Sequence, residues 1–205
     1  MFTGIVQGVG KIIKIVDHDK LRTIQVELPH HLTKNIAIGA SIANDGCCLT
    51  VTQVTANSVN FDIMQETLAI TTLGNKKAGD FVNIERSARY GDEVGGHIMS
   101  GHISCTAKIK NIMTTATNCT MRLEMPLVFM KYVLYKGFIG IDGASLTVGE
   151  VKNNQFLIHL IPETLAITTL KYKREGDCVN IEIDSQTQAI VDTVERIIAM
   201  REDRN

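Results

Sequence analysis

The sequence predicts an all-β protein: two tandem copies of a small closed barrel of about six antiparallel strands, followed by one α-helix. Three observations predict it. The word "ETLAITTL" stands at Glu66–Leu73 and returns at Glu163–Leu170, 97 positions later. The same offset lays most of the chain on itself without a gap. The dominant hydrophobic period within each copy is two, and it changes to a helical period only near residue 185.

The duplication reaches well beyond its opening word. "SIANDGCCLTV" (41–51) lies on "FIGIDGASLTV" (138–148), and "AGDFVNIE" (78–85) lies on "EGDCVNIE" (175–182). Pro29 falls on Pro126, Glu27 on Glu124, and Gly4–Ile12 on Gly101–Ile109. A single offset over about 85 residues means that a whole domain was copied, because solenoid units run only about 20–50 residues. The expected division is a barrel over 1–90, a second over 91–184, and a helix over 185–205.

Strands follow from alternation. "TIQVEL" sets Ile24, Val26 and Leu28 on one face, and "TMRLEM" does the same with Met121, Leu123 and Met125. Asp-Gly pairs at 45–46 and 142–143 suit tight turns entering strands. Closing each set into a barrel removes exposed edges. Alternation fails near 66–71 and 163–168, where short helical turns are expected. "SARYGDEVGGH", polar and glycine-rich, reads as a linker between the copies. In "SQTQAIVDTVERIIAM", Ile190, Val194, Ile197 and Ile198 form one apolar stripe, Ser185 and Gln188 a capping box, and Asp192 and Arg196 an ion pair. That stripe needs a partner, either the chain's own barrels or other copies of the helix.

Composition narrows the function. Hydrophobic residues make up 44% and charged residues 21%, a balance suited to folded cores. Cutting after His97 leaves 9 basic against 10 acidic residues in the first part and 12 against 12 in the second. Neither part is a partner for a phosphate backbone, so nucleic acid is not expected. The opening "MFTGIVQGVG" lacks the features of a signal peptide. The most apolar stretch is broken by Lys131 and Lys136, so no membrane span is expected. Five cysteines (Cys47, Cys48, Cys105, Cys119 and Cys178) without a C-x-x-C pair point to free thiols in a reducing cytoplasm. Nucleotide loops, zinc spacings and H-E-x-x-H are missing from the sequence, so neither a metal nor a built-in cofactor is expected.

The duplicated polar positions carry the candidate chemistry. Cys48 and Ser145 are equivalent, and each stands two residues before a threonine (Thr50, Thr147) on one strand face. His102 follows Gly101 where the first copy has Ile5 after Gly4, an asymmetry that hints at divided labour. Lys136 and Asp184 likewise replace Gly39 and Ser87 in the second copy only.

The words "MFTGIV", "GCCLTV", "GGHIMSGHI", "YKGFIGIDGASLTV", "HLIPETL" and "NIEID" with "QAIVDTVER" together resemble the bacterial riboflavin synthases, and the similarity spans essentially the whole chain. One departure is Asp45, where the family pattern leads one to expect Asn before Gly46. The resemblance implies two six-stranded Greek-key barrels and a homotrimer assembled through the C-terminal helix. It implies the transfer of a four-carbon unit between two molecules of 6,7-dimethyl-8-ribityllumazine, giving riboflavin and 5-amino-6-ribitylaminouracil, the last step of riboflavin biosynthesis, without an added cofactor. It also brings lumazine synthase into view as a partner, which no feature of this chain fixes.

Carried over, the first cradle comprises Gly4, Ile5, Val6, Ser41, Cys48, Leu49, Thr50, Asp62, Ile63, Met64, Gln65, Glu66 and Thr67, with Phe2 at its edge. The second comprises Gly101, His102, Ile103, Lys136, Ser145, Leu146, Thr147, Leu160, Ile161, Pro162, Glu163, Thr164 and Leu165, with Asp184 nearby. The resemblance casts Cys48 as nucleophile or donor, His102 as proton-transfer group, and Ser145, Thr147 and Asp184 as partners of the ring and ribityl hydroxyls, with Ser41 beside Cys48. The rival reading is a lumazine-holding antenna that keeps the double barrel without catalysis. Two cradles for two identical reactants would explain why one chain repeats itself.

Overall fold

The structure, a computed structural model, describes residues 1–115 and 117–202. Strands β1 (Gly8–His18), β2 (Leu21–Glu27), β3 (Ser41–Asn44), β4 (Cys47–Val54), β5 (Ser58–Met64) and β6 (Phe81–Arg86) close in the order β1-β2-β5-β4-β3-β6. Strands β7 (Cys105–Thr114), β8 (Cys119–Glu124), β9 (Phe138–Ile141), β10 (Ala144–Lys152), β11 (Gln155–Leu160) and β12 (Cys178–Ile183) close in the matching order β7-β8-β11-β10-β9-β12. Every pairing is antiparallel, and β2 returns beside β5 by a long connection, as a Greek key requires. Each barrel's long first strand breaks register at equivalent points, Ile12/Lys14 and Ile109/Asn111, where a bulge bends the strand round the closure.

Alternation fills each barrel. Phe61, Ile12, Val26, Val51 and Ile84 are fully buried in the first, and Phe156, Ile109, Leu123, Val148 and Ile181 in the second. The phenylalanine has changed places between copies: Val59 and Phe61 stand where Phe156 and Ile158 stand 97 residues on. The pair changes by only one methylene while the large side chain moves two positions, the kind of exchange a core accepts at low cost.

The short helices α1 (Gln65–Ile70) and α2 (Pro162–Ile167) explain the repeated word. Each leads into a 3-10 turn whose first residue docks on the opposite barrel. Thr72 donates its backbone N–H to Asn180 Oδ1 and Thr169 donates its own to Asn83 Oδ1, both at 2.7 Å. The amide groups of Asn83 and Asn180 then donate at 2.8 Å to the Asp142 and Asp45 carbonyls of the facing Asp-Gly turns. Those turns touch: a Cβ on Gly46 would lie 2.7 Å from the Gly143 nitrogen, so only glycine lets the barrels approach this closely. Asp45 and Asp142, both fully buried, are neutralised by Lys76 at 2.8 Å and Lys173 at 2.9 Å. The departure at Asp45 thereby gives the two halves the same ion pair.

Helix α3 spans Ser185–Glu202; the last three residues of the expected helix lie outside the described residues. Its cap is Asp184 rather than Ser185: the Asp184 carboxylate accepts from the Thr187 backbone N–H at 2.9 Å and from the Thr187 hydroxyl at 2.6 Å. Asp192 pairs with Tyr132 and Lys131 instead of Arg196, and Glu195 pairs with Lys131, so α3 docks through these charges on the 3-10 turn Leu127–Tyr132, with Val191 half-buried against the second core. Ile190, Val194, Ile197 and Ile198 stay 45–65% exposed. Among the described residues no helix is long and apolar enough to cross a membrane.

Candidate functional site

The polar faces expected on β4 and β10 are present. Cys48 and Ser145 are half-buried, Thr50 and Thr147 are exposed, and Leu49 and Leu146 turn inward between them. On the neighbouring strands Ser41 pairs with Thr50, and its equivalent Phe138 pairs with Thr147. Ile63 and Leu160 also point into the cores, whereas Asp62, Met64, Gln65, Glu66, Ile161, Pro162 and Glu163 are exposed along the rims. Thr67, Thr164 and Leu165 are half-buried beside them. Asp62 accepts from the Thr23 hydroxyl at 2.7 Å.

The segments opening the two copies are exchanged relative to the expected cradles. Gly4 does not sit on Cys48; its carbonyl accepts from the Ser145 N–H at 2.8 Å, and Val6 belongs to the second barrel's core. The Gly101 carbonyl accepts from the Cys48 N–H at 2.9 Å, and Ile103 belongs to the first barrel's core. One cradle therefore combines Ser41, Cys48 and Thr50 with Gly101, His102 and Ile103. The other combines Ser145, Thr147 and Phe138 with Gly4, Ile5 and Val6. Both glycines hold positive φ, +73° and +83°, and a Cβ on either would lie 2.5 Å from the Cβ of the residue it covers. Phe2 and Met99, each 2% exposed, form an antiparallel bridge between the two cradles.

Exchange sharpens the asymmetry. The thiol cradle carries the exposed imidazole of His102, whereas the hydroxyl cradle carries the exposed Ile5. The hydroxyl cradle has a histidine that the repeat alignment passed over: His97 Nδ1 lies 2.6 Å from Ser145 Oγ, and its ring stacks on Phe138 at 5.1 Å. Burial holds the His97 pKa below the usual imidazole value, against the pull of Asp184, so the ring is neutral near pH 7. Partial burial raises Asp184, but its bonds from Thr187 outweigh that and keep the carboxyl below its usual value. The "linker" is thus part of the site. Two signals for it were legible: a histidine directly before the second copy, and the Gly95-Gly96 pair before it; in the structure a Cβ on Gly96 would meet Ser145 at 2.6 Å.

Lys136 holds φ +66° where the first copy has Gly39 at +87°. A lysine there carries a backbone strain that the glycine of the first copy avoids. Its ammonium is exposed, 5.4 Å above the Tyr135 ring. Three of the remaining thiols are shielded: burial pushes Cys47 and Cys105 up to about 12, and Cys119 is buried. Exposed Cys178 lines a separate 700 Å³ cleft between the barrels.

Comparison with known proteins identifies the family. The lumazine binding domain family matches residues 3–87 and again 100–184. Riboflavin synthase of Escherichia coli K12 is 57% identical over 98% of this chain and 95% of its own. That of Buchnera aphidicola subsp. Schizaphis graminum is 49% identical over 97% and 96%. The crystal structure of LumP complexed with 6,7-dimethyl-8-(1'-D-ribityl) lumazine superposes with a TM-score of 0.82 and 28% identity, covering 90% of this chain and all of that one. A chain with two crossed lumazine-type cradles and this degree of identity from end to end belongs to the lumazine-binding-domain family, among the riboflavin synthases.

Proposed function

We propose that this riboflavin synthase works as a cytoplasmic homotrimer, pairing the Cys48 cradle of one subunit with the Ser145 cradle of its neighbour at each working site. The observation that carries this reading is the buried Phe2–Met99 bridge. It packs against Gly4 of one cradle and Gly101 of the other, which supports the reading that rings bound to the two cradles of a single chain are held apart. A second subunit supplies the facing cradle, and the exposed stripe of Ile190, Val194, Ile197 and Ile198 supplies the means of assembly. Exposed Leu134, Tyr135 and Phe138 extend an apolar rim beside the Ser145 cradle for the same contact.

Within that arrangement, the cradles hold two 6,7-dimethyl-8-ribityllumazine molecules so that the carbanion formed when one 7-methyl group loses a proton meets the other ring. Holding both converts an encounter into an intramolecular step, worth roughly 7–11 kcal/mol of barrier. Cys48 and His102 serve the reacting carbon and its proton. Ser145, polarised by His97, and Thr147 serve the ring and ribityl oxygens, with Asp184 lending the lone pairs its helix cap leaves free. No step calls for an added cofactor, because the heterocycle accepts its own electron pair. Against the antenna reading stands the 57% identity to a synthase over nearly the full chain, compared with 37% over 92% of the chain to the yellow fluorescent protein of Aliivibrio fischeri.

Incubation with 6,7-dimethyl-8-ribityllumazine is expected to give catalytic riboflavin absorbance; fluorescence without turnover would make the protein an antenna. Cys48→Ser is expected to lower kcat by roughly 10²-fold, and an unchanged kcat would leave Cys48 a packing residue. Val194→Asp is expected to sediment as a protomer and to lose turnover with the trimer, and an active protomer would refute the shared site. His97 supports activity only while neutral, and its lowered pKa keeps it so further into acid, with activity lost as pH falls through that value. His97→Gln is expected to remove this acid limb from the kcat/KM profile; a limb that persists belongs to another group.

A further inference from the structure

Two buried carboxylates lie outside the chemistry above. Glu85 on β6 and Glu182 on β12 are repeat equivalents, and each is 3% exposed. Glu85 Oε1 accepts from the Thr3 N–H at 2.6 Å and the Thr3 hydroxyl at 2.8 Å, and Glu85 Oε2 accepts from the Gly4 N–H at 3.1 Å. Glu182 Oε1 accepts from the Ser100 N–H at 2.6 Å and the Ser100 hydroxyl at 2.8 Å, while the Gly101 N–H reaches both oxygens, at 3.1 and 3.2 Å. The residue so held then crosses over. Gly4 presents its carbonyl to Ser145 of the second barrel, and Gly101 presents its carbonyl to Cys48 of the first.

Each glycine is thus pinned at its nitrogen by a carboxylate from one barrel and at its oxygen by the cradle strand of the other. Nitrogen and oxygen together fix the positive φ that only glycine adopts without strain. Burying an anion costs several kcal/mol, and three charge-assisted bonds offset that cost. Burial pushes both carboxyls above the usual value, and the amide and hydroxyl donors of the glycine segments pull against that rise. A neutral side chain would close a barrel end without this cost. The retention of a carboxylate in both copies therefore points to the segments it grips.

We propose that Glu85 and Glu182 are positioning residues acting crosswise: Glu182, rooted in the second barrel, shapes the Cys48 cradle, and Glu85, rooted in the first, shapes the Ser145 cradle. The affinity of each barrel for its ligand then depends on a carboxylate carried by the other. This rests on the reading that both cradles take lumazine or flavin rings. The alternative is a pair of symmetric braces that stabilise the fold and leave the cradles alike.

The test uses the full-length protein with Cys178→Ser, which silences the exposed thiol. Riboflavin, which is not consumed when offered alone, is the probe. Its protection of Cys48 from iodoacetamide reads one cradle, and the His97 ring resonance reads the other. Glu182→Gln is expected to raise the Cys48 protection midpoint about tenfold, the worth of a hydrogen bond to a charged group, while the His97 midpoint stays within about twofold. Glu85→Gln is expected to do the reverse. Should either variant fail to fold, Ser100→Ala and Thr3→Ala each remove one donor and are expected to give the same crossed pattern at about threefold. Midpoints that shift together, or not at all, overturn the proposal alone. A parent protein in which riboflavin neither protects Cys48 nor moves His97 overturns the ligand assignment and the proposal with it.

Discussion

Replacing Lys173 with methionine is expected to cost about 3–5 kcal/mol, because it leaves one carboxylate of a buried pair without its cation. The Asp142 side chain is fully buried and the Lys173 side chain is 13% exposed, so solvent cannot stand in for the lost charge. In a chain of this length each kcal/mol moves Tm by roughly 2–4 °C, which makes the expected fall roughly 6–20 °C. The pH dependence follows from the same pair. Burial pushes the Asp142 carboxyl up, and Lys173 pulls against that rise most strongly, with help from the Asn180 N–H. Without Lys173 the carboxyl titrates higher still, so the deficit is largest at neutral pH and shrinks as acid protonates Asp142. Adding Asp142→Asn keeps an acceptor for the Asn180 N–H, at 2.7 Å in the parent, and is expected to recover most of the loss. Lys171→Met serves as control, since that ammonium is exposed, donates to the Ala166 carbonyl at the end of α2 and lies over the Tyr172 ring, with no buried carboxylate to neutralise. A Lys173→Met variant melting within 2 °C of the parent would mean that the buried Lys173–Asp142 pair, which lies within the second barrel beside the barrel interface, contributes nothing to stability.

The same lock shows how far a self-alignment can see. Matching the chain against itself identified Asp45 with Asp142, Asn83 with Asn180, and one "ETLAITTL" with the other, and it read the strands from period-two alternation. Equivalence is not adjacency, however. Gly4 and Gly101 are equivalent, and each is chemically suited to lie on either Cys48 or Ser145, so nothing local tells which barrel it covers. The deciding contacts are long-range: Val6 fills the second core and Ile103 the first. His97 escaped for a different reason. Its equivalent position would precede Met1, so the repeat offers no partner to compare it with. At α3, Ser185 and Asp184 both suit an N-cap, and the choice fell to the residue whose carboxylate reaches the Thr187 N–H.

Gly101→Ala offers the sharpest view of the crossing, because it changes one methyl group and no charge. Two effects combine. The backbone holds φ +83°, where an L-residue is strained, and the new Cβ would lie 2.5 Å from Cys48 Cβ and 2.8 Å from the Phe2 ring. Neither neighbour can yield freely: Phe2 is 2% exposed, and the Cys48 N–H is bound to the Gly101 carbonyl itself. The segment must therefore lift, carrying His102 away from Cys48. A displacement of about 1 Å at reacting groups can cost 10²-fold, and a fall of that order in kcat is expected. The strain itself costs about 1–3 kcal/mol, so the protein should remain folded and the loss be read as misplacement rather than denaturation. Gly4→Ala meets Ser145 in the same way and should injure the other cradle. Mixing the two variants then separates a site made within one chain from one shared between chains. If a site joins the Cys48 cradle of one subunit to the Ser145 cradle of another, trimers containing both variants regain sites in which neither glycine is altered, and turnover rises above that of either parent. If both cradles of a site come from one chain, every subunit stays damaged and mixing restores nothing.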